Sequence, residues 1–246
     1  MKVFRADLHI HTVLSPCGDL DMSPVNIVSE AARKGLDIIG ITDHNSTRHC
    51  KLIKRLAAQK GIFVLQGAEI TTKEEVHCLA FFENTDALDL FQEFLDNNLP
   101  DLINDPDKFG YQVQVDENDI VIFEEKRLLT NALSKSFEEV EAFTHNLNGL
   151  FIPAHIDKLK NSIYSQLGFL PVNMKADALE ISRLTSPEKF TAAHPEIKGF
   201  TITRSSDAHF PDNIGTIFTN FSMETRSFSE IRQALKGVNG RKVFTE

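Results

Sequence analysis

Tryptophan is absent and tyrosine occurs only twice, so the 19 phenylalanines must supply nearly all of the aromatic core. Cysteine is scarce. Cys17, Cys50 and Cys78 are scattered, odd in number and without a C-x-x-C spacing, which argues against a disulfide framework and fits a reducing compartment. Cys50 and Cys78 read as small buried hydrophobes. Positive charge is the minority sign, with 26 Lys and Arg against 35 Asp and Glu. A net charge of −9 speaks against a protein that grips long nucleic acid through a basic surface, but leaves room for an enzyme that handles short oligonucleotides at a metal centre. No apolar run approaches the roughly 20 residues of a membrane span, and the N-terminus lacks the apolar core of a signal peptide. There is no internal repeat. The expectation is a cytoplasmic chain without membrane contact.

With 246 residues, 41% hydrophobic and 25% charged, the chain has the length of a single α/β barrel. The run Val3, Phe4, Ala6, Leu8, Ile10 reads as a strand entering a core. Ser23 followed by Pro24 marks a helix start, with apolar Ile27, Val28, Ala31 and Ala32 and Gly35 as its stop. Residues 36–41 are continuously apolar, as in a strand covered on both faces. Ser46 suits the cap of a second helix through Lys60, and residues 62–70 form a third strand. This alternation is the α/β pattern. The next connection, residues 71–75, is too short for a parallel crossover of a dozen residues. The strands within 62–82 should therefore pair antiparallel, which sets Glu69 beside His77.

Residues 84–149 read as an α+β insertion or lid within a single domain spanning 1–246. Helices are expected at 86–95, 124–133 and 137–147, and a small hairpin at 111–115 and 120–123. The frame then resumes with strands at 150–152, 178–181, 200–203 and 216–220. Helices are expected at 162–167 and 187–194, and Ser229 is expected to cap a closing helix to Lys236.

The chemistry-bearing residues gather at the ends of these apolar runs. His9 and His11 stand two apart on a strand and so share a face. Asp207 and His209 repeat that spacing after the run ending at 203. Between them come His44, Glu69, His77 and His155. These nitrogen and oxygen donors suit Zn, Mn or Fe, with carboxylate able to bridge two ions. Eight such residues exceed what one tetrahedral ion needs, and two ions about 3.5–4 Å apart can clamp the oxygens of a phosphoryl displacement. Asp7 and Asp43 are candidates to orient ligand histidines. Arg183, Arg204 and Lys158 lie near strand ends, and Arg183 is the first choice for a substrate phosphate. His49, His145 and His194 fall in expected helices and read as surface or core-edge residues.

The ordered set Asp7-Leu8-His9-Ile10-His11-Thr12, Thr42-Asp43-His44-Asn45, Gly67-Ala68-Glu69, His77, Ala154-His155 and Ser206-Asp207-Ala208-His209 resembles the motifs of the polymerase-and-histidinol-phosphatase (PHP) family of phosphoesterases. The resemblance implies a distorted seven-stranded (β/α) barrel of PHP type, with two to three divalent metal ions (Zn, Mn or Fe) at the strand ends. It further implies that His9, His11, Glu69 and Asp207 hold one ion. Glu69, His77 and His155 would hold a second, with Glu69 bridging, and His44 and His209 a third. The family adds one more ligand to the third ion shortly after the H-x-H, where this chain has Pro16 and Cys17. Asp19 is favoured over Cys17 there. The expected substrate is a small phosphate monoester, a nucleotide bisphosphate or one like histidinol phosphate, with His44, His209 and Arg183 as catalytic candidates. The alternatives are exonucleolytic cleavage of short RNA or DNA ends and a metal-stabilised scaffold without activity.

Overall fold

The computed structural model describes residues 1–245. In chain order the elements are β1 (Lys2–Ile10), α1 (Pro24–Arg33), β2 (Ile38–Ile41), α2 (Cys50–Ala58), β3 (Phe63–Thr71) and β4 (His77–Phe82). The middle of the chain holds α3 (Thr85–Asn98), α4 (Pro106–Phe109), β5 (Val113–Val115), β6 (Val121–Glu124) and α5 (Phe137–Asn146). Then follow β7 (Leu150–Pro153), α6 (Ile163–Leu167), β8 (Leu179–Glu180), α7 (Pro187–Ala193), β9 (Ile202–Thr203), β10 (Thr219–Met223), α8 (Phe228–Lys236) and β11 (Lys242–Thr245).

A curled seven-stranded sheet runs β11-β10-β1-β2-β3-β4-β7. The expected antiparallel step is present, since β3 and β4 pair antiparallel with Thr71 opposite His77. Backbone bonds extend the curl beyond β7. Asp177 N–H donates to Phe151 O, Ile156 N–H donates to Glu180 O, and β8 pairs parallel with β9. Ala208, after β9, then exchanges bonds with the end of β1, its N–H to His9 O and its O from His11 N–H. The strands β1, β2, β3, β4, β7, β8 and β9 thus form the ring expected from the resemblance, with β10 and β11 added at one edge.

Two apolar clusters sandwich the sheet. One packs α1, α2, α3 and α5 against its outer face through residues such as Ile27, Ile53, Phe91 and Phe137. The other fills the concave side with Leu8, Leu65, Leu79, Phe81 and Ile152, and α8 closes it with Phe228 and Ile231. In β1 a register irregularity falls between Asp7 and Ile10. Leu8 consequently packs in the inner cluster and Ile10 in the outer one. Strict two-residue alternation would have kept them on one side. The bulge re-aims the strand end where His9 and His11 emerge.

Local signals were obeyed where nothing non-local competed. Ser23 accepts from Asn26 N–H with Pro24 at the first helical position, and the hairpin β5–β6 forms as expected. Three expectations fail. The second helix begins at Cys50 with no side-chain cap, because residues 44–49 are bound elsewhere: Thr47 N–H donates to Gln92 and His49 binds Thr12 and Val115. No helix forms over 124–133. There Gln112 ties the carbonyls of Glu125 and Arg127 and the N–H of Leu129, while Leu128 N–H donates to Leu102 O. The last helix is capped by Ser227, whose side chain accepts from Glu230 N–H, and not by Ser229. Strand β10 runs to Met223 and β11 was not anticipated.

Candidate metal centre

Every ligand candidate sits where the barrel strands reach the same end. His9 is the penultimate residue of β1 and His11 lies just past its end, His44 follows β2, and Glu69 lies two residues before the end of β3, near the start of β4 at His77. His155 follows β7, and Asp207 and His209 follow β9. Glu69 is buried at the centre. Its Oε1 lies 2.8 Å from His77 Nδ1, 3.0 Å from His155 Nε2 and 3.4 Å from His9 Nε2. Its Oε2 lies 3.3 Å from His11 Nε2 and 3.2 Å from His44 Nδ1. Asp207 Oδ1 faces His9 Nε2 and His11 Nε2, each at 3.4 Å. His155 and Asp207 both adopt positive φ, 31° and 51°, and such non-glycine strain at strand ends is characteristic of functional positions.

Proton bookkeeping shows that this cluster suits cations. Ser15 Oγ–H donates to an Asp43 oxygen at 2.7 Å, so Ser15 must accept from His11 Nδ1–H at 3.0 Å. His9 Nδ1–H donates to Glu180 Oε2 at 3.0 Å. The Nε2 atoms of His9 and His11 therefore both point their lone pairs inward, only 3.1 Å apart. Two lone pairs held at that distance are repulsive until a proton or a metal ion lies against them. Among the described residues, three sets have ligating atoms within 4.8 Å of one another: His9–His11–Glu69, His44–Glu69–His77 and His11–His44–His209. The donor chemistry and spacing fit divalent ions, and Glu69 belongs to two of the three sets.

The charges within the cluster are mutually dependent. Burial works to raise the Glu69 carboxyl, but His77, His9 and His44 outweigh it and hold it well below its usual value. Burial works against charging His9, and Glu180, Glu69 and Asp207 overcome this and raise it. His209 goes the other way: burial, reinforced by His11, lowers it to about 4, so its ring is neutral at pH 7. Burial lifts the Asp7 carboxyl to about 6 against the hydrogen bonds it accepts.

Several expected roles become specific. Asp43 accepts from Thr12 N–H at 2.7 Å, Thr12 Oγ1 at 2.8 Å and Ser15 Oγ, and through Ser15 it orients His11. Asp7 reaches backbone N–H groups, that of His9 among them, and not a histidine ring. It accepts from the N–H groups of Ser206 and Gly215 and so fixes the loop carrying Asp207. Arg183 is exposed and lines a recess of about 210 Å³ beside the cluster. Lys158 places its ammonium on Asp207 and lines both that recess and the cavity over the histidines. Arg204 is buried and donates to the carbonyls of Ser182 and Thr185. Asp19 is not brought into the three sets: its Oδ1 accepts from Asp21 N–H. Desolvation of the sulfur, with the charge of Glu69, pushes the Cys17 thiol up to about 12.

Two residues escaped sequence reasoning. Glu180 is fully enclosed and orients both His9 and the backbone N–H of His155. Its signal was a lone acid inside the apolar run 178–181. His49, expected at a surface or core edge, is completely buried. Its Nε2 accepts from Val115 N–H at 3.0 Å and its Nδ1 donates to Thr12 Oγ1 at 2.6 Å. His145 pairs with Asp177 and His194 with Glu196, both away from the cluster.

An α/β barrel carrying five histidines around a buried glutamate presents the donor set of a candidate metal centre. A PHP domain model matches residues 7–180, a PHP-associated model matches residues 196–238, and the chain belongs to the PHP domain family. The lesion-specific endonuclease from Pyrococcus furiosus superposes with a TM-score of 0.77 at 23% identity, over 98% of this chain and 58% of that one. Endonuclease Q in complex with a 27-mer duplex bearing an abasic lesion gives 0.71 at 24% identity, with the same coverage. A putative metal-dependent phosphoesterase from Bifidobacterium adolescentis gives 0.58 at 20% identity, over 84% of this chain and 88% of that one. These likenesses show the fold. Two uncharacterised curated relatives, from Methanocaldococcus jannaschii and Bacillus subtilis, are 40% and 24% identical in alignments 78 and 276 residues long, gaps included, that cover 28% and 99% of this chain. The chain spans 46% and 65% of their lengths.

Proposed function

We propose that the chain is a metal-dependent phosphoesterase that hydrolyses a small phosphate monoester, such as a nucleotide bisphosphate or a histidinol-phosphate-like ester. The observation that carries the reading is the convergence of His9, His11, His44, His77 and His155 on the two oxygens of Glu69, with Asp207 facing His9 and His11. One ion would be held by His9, His11, Glu69 and Asp207, and a second by Glu69, His77 and His155. A third would be held by His44 and His209. Divalent Zn, Mn or Fe bound there would polarise the phosphoryl oxygens and activate water.

The chain's own groups do the rest. Lys158, whose ammonium is favoured by Asp207 once burial is overcome, meets a phosphoryl oxygen entering the cavity. Arg183 at the recess mouth takes a second anionic group. His209 is neutral at pH 7 and about a quarter open to the cavity, and with its Nδ1–H donated to the Asp207 carbonyl its other nitrogen is left to face an ion or the substrate. The recess and the cavity over the histidines are each about 210 Å³, a scale fitting a small ester. The free cysteines fit a cytoplasmic setting, and among the described residues no helix is long and apolar enough to cross a membrane.

A nuclease is the second reading. It is favoured by the superposition of 98% of the chain on a lesion-specific endonuclease. The test is metal content by elemental analysis, followed by reaction of Mn-, Zn- and Fe-loaded protein. The panel holds histidinol phosphate, a 3′,5′-bisphosphonucleoside, a 5′-phosphorylated RNA and a duplex with an abasic site, each with a chelated control. Phosphate release from a small ester is expected. Strand cleavage alone would replace this reading with the nuclease. Silence with full metal content would leave a scaffold.

A further inference from the structure

The recess beyond the cluster shares His155, Lys158 and Asp207 with the cavity over the histidines and continues past Glu180 to Arg183 and Leu184. An ester whose phosphoryl group lies over the cluster must put its alcohol part either into bulk solvent or into this recess. Glu180 lines it and is buried. Its Oε2 is fully used, accepting from His9 Nδ1 and His155 N–H at 3.0 Å each. Its Oε1 is buried with no hydrogen-bond partner. A carboxylate oxygen held in such a place without a donor is costly. Of the hydroxyls lining the recess, Ser182 Oγ donates to Asp157 Oδ2 and accepts from Leu184 N–H, Ser205 Oγ accepts from Leu8 N–H, and Ser206 Oγ makes no bond to Glu180 Oε1.

Resting on the phosphoesterase reading, we infer that this recess is the pocket for the alcohol portion of the substrate. Glu180 Oε1 there accepts a hydrogen bond from a second hydroxyl on that alcohol. The substrate class is accordingly the phosphate ester of a polyol or sugar, not of a simple alkyl alcohol. Leu184 covers the carbon skeleton. Arg183, at the exposed edge, leaves room for a further anionic group. Glu180 thus has two tasks, one oxygen orienting His9 and the other reading the substrate.

The test pairs substrates that differ only in the hydroxyl: glycerol phosphate against propyl phosphate, and a ribonucleoside 3′-phosphate against its 2′-deoxy form. Metal-loaded protein should favour the hydroxylated member of at least one pair by roughly 10- to 100-fold in kcat/KM, the scale of one hydrogen bond to a charged group. Glu180→Gln isolates the cause. Its amide oxygen can still accept from His9 and His155, which turns the amide NH₂ into the recess and exchanges an acceptor for a donor. The preference should fall to within about threefold, with metal content retained. Calorimetric binding of hydroxypropyl phosphonate against propyl phosphonate to the loaded wild-type protein gives the same comparison without turnover, and stands even where the variant fails to fold. Equal rates and equal binding within each pair would overturn the inference while leaving the phosphoesterase intact. So would a preference that survives in Glu180→Gln. No phosphate from either member of any pair, with phosphonate binding equally absent, would overturn the phosphoesterase reading and the inference with it.

Discussion

Replacing His49 by phenylalanine tests whether the middle segment is physically joined to the metal end of the barrel. His49 Nε2 accepts from a backbone N–H, that of Val115, so Nε2 carries no proton and Nδ1–H must donate to Thr12 Oγ1. Thr12 in turn donates to Asp43, which accepts from Ser15, which accepts from His11. Every proton in this chain is thereby placed. Phenylalanine has a similar ring but neither nitrogen. It strands the Val115 N–H in a buried strand, at about 1–3 kcal/mol, and removes one bond from Thr12, about 0.5–1.5 kcal/mol. A total of roughly 2–4 kcal/mol in a protein of this size lowers Tm by about 5–15 °C. Calorimetry of the metal-free protein reads that shift directly. Divalent-metal affinity should fall up to about 10-fold, the lower end for an outer partner of a ligand. A Tm change under 2 °C, or a loss of metal with stability untouched, would refute the reasoning. The pH dependence has a definite sign. Burial lowers the His49 pKa, so the unfolded chain, near 6.5, takes the proton first. The His49 contribution is complete above that pH and is lost as pH falls below it, and His49→Phe should flatten this part of the stability profile.

The other predictions concern the cluster and its edge. Glu69→Gln replaces the shared carboxylate and should lose at least one bound ion, with metal affinity down by about 100-fold or more, read by elemental analysis after dialysis. Lys158→Ala should raise KM by roughly 10-fold through the lost phosphate contact while tightening metal binding, because the ammonium no longer competes for Asp207. A fall in both affinities would contradict that assignment. Asp19→Ala should leave the metal count unchanged, since its carboxylate caps Asp21 N–H; loss of one ion would restore Asp19 as a ligand. Gly67→Ala should destabilise by more than about 2 kcal/mol, because a Cβ there would lie 2.0 Å from the carbonyl oxygen of Ala80, and denaturant unfolding measures it.

The candidate ligand types and their order were legible in the sequence, because metal chemistry demands particular donors and strand periodicity announces where they stand. His9 and His11 were readable from a two-residue spacing, and Glu69 beside His77 from a connection too short to cross the sheet. The α1 cap was readable because Ser23, Pro24 and Gly35 act over a few residues. Sequence failed where the partner was distant. The helix expected over 124–133 gave way to Gln112, which binds its backbone from another segment. The Ser46 cap gave way to bonds that hold residues 44–49 against Gln92, Thr12 and Val115. Local chemistry therefore determined which residues could bind metal and at which strand ends. Only the tertiary structure decided that Glu180, 171 positions from His9, aims that ring. It alone decided that His49 ties the β5–β6 hairpin to the site. Those relations depend on burial and on bonds between segments far apart in the chain, which spacing along a single strand or helix does not encode.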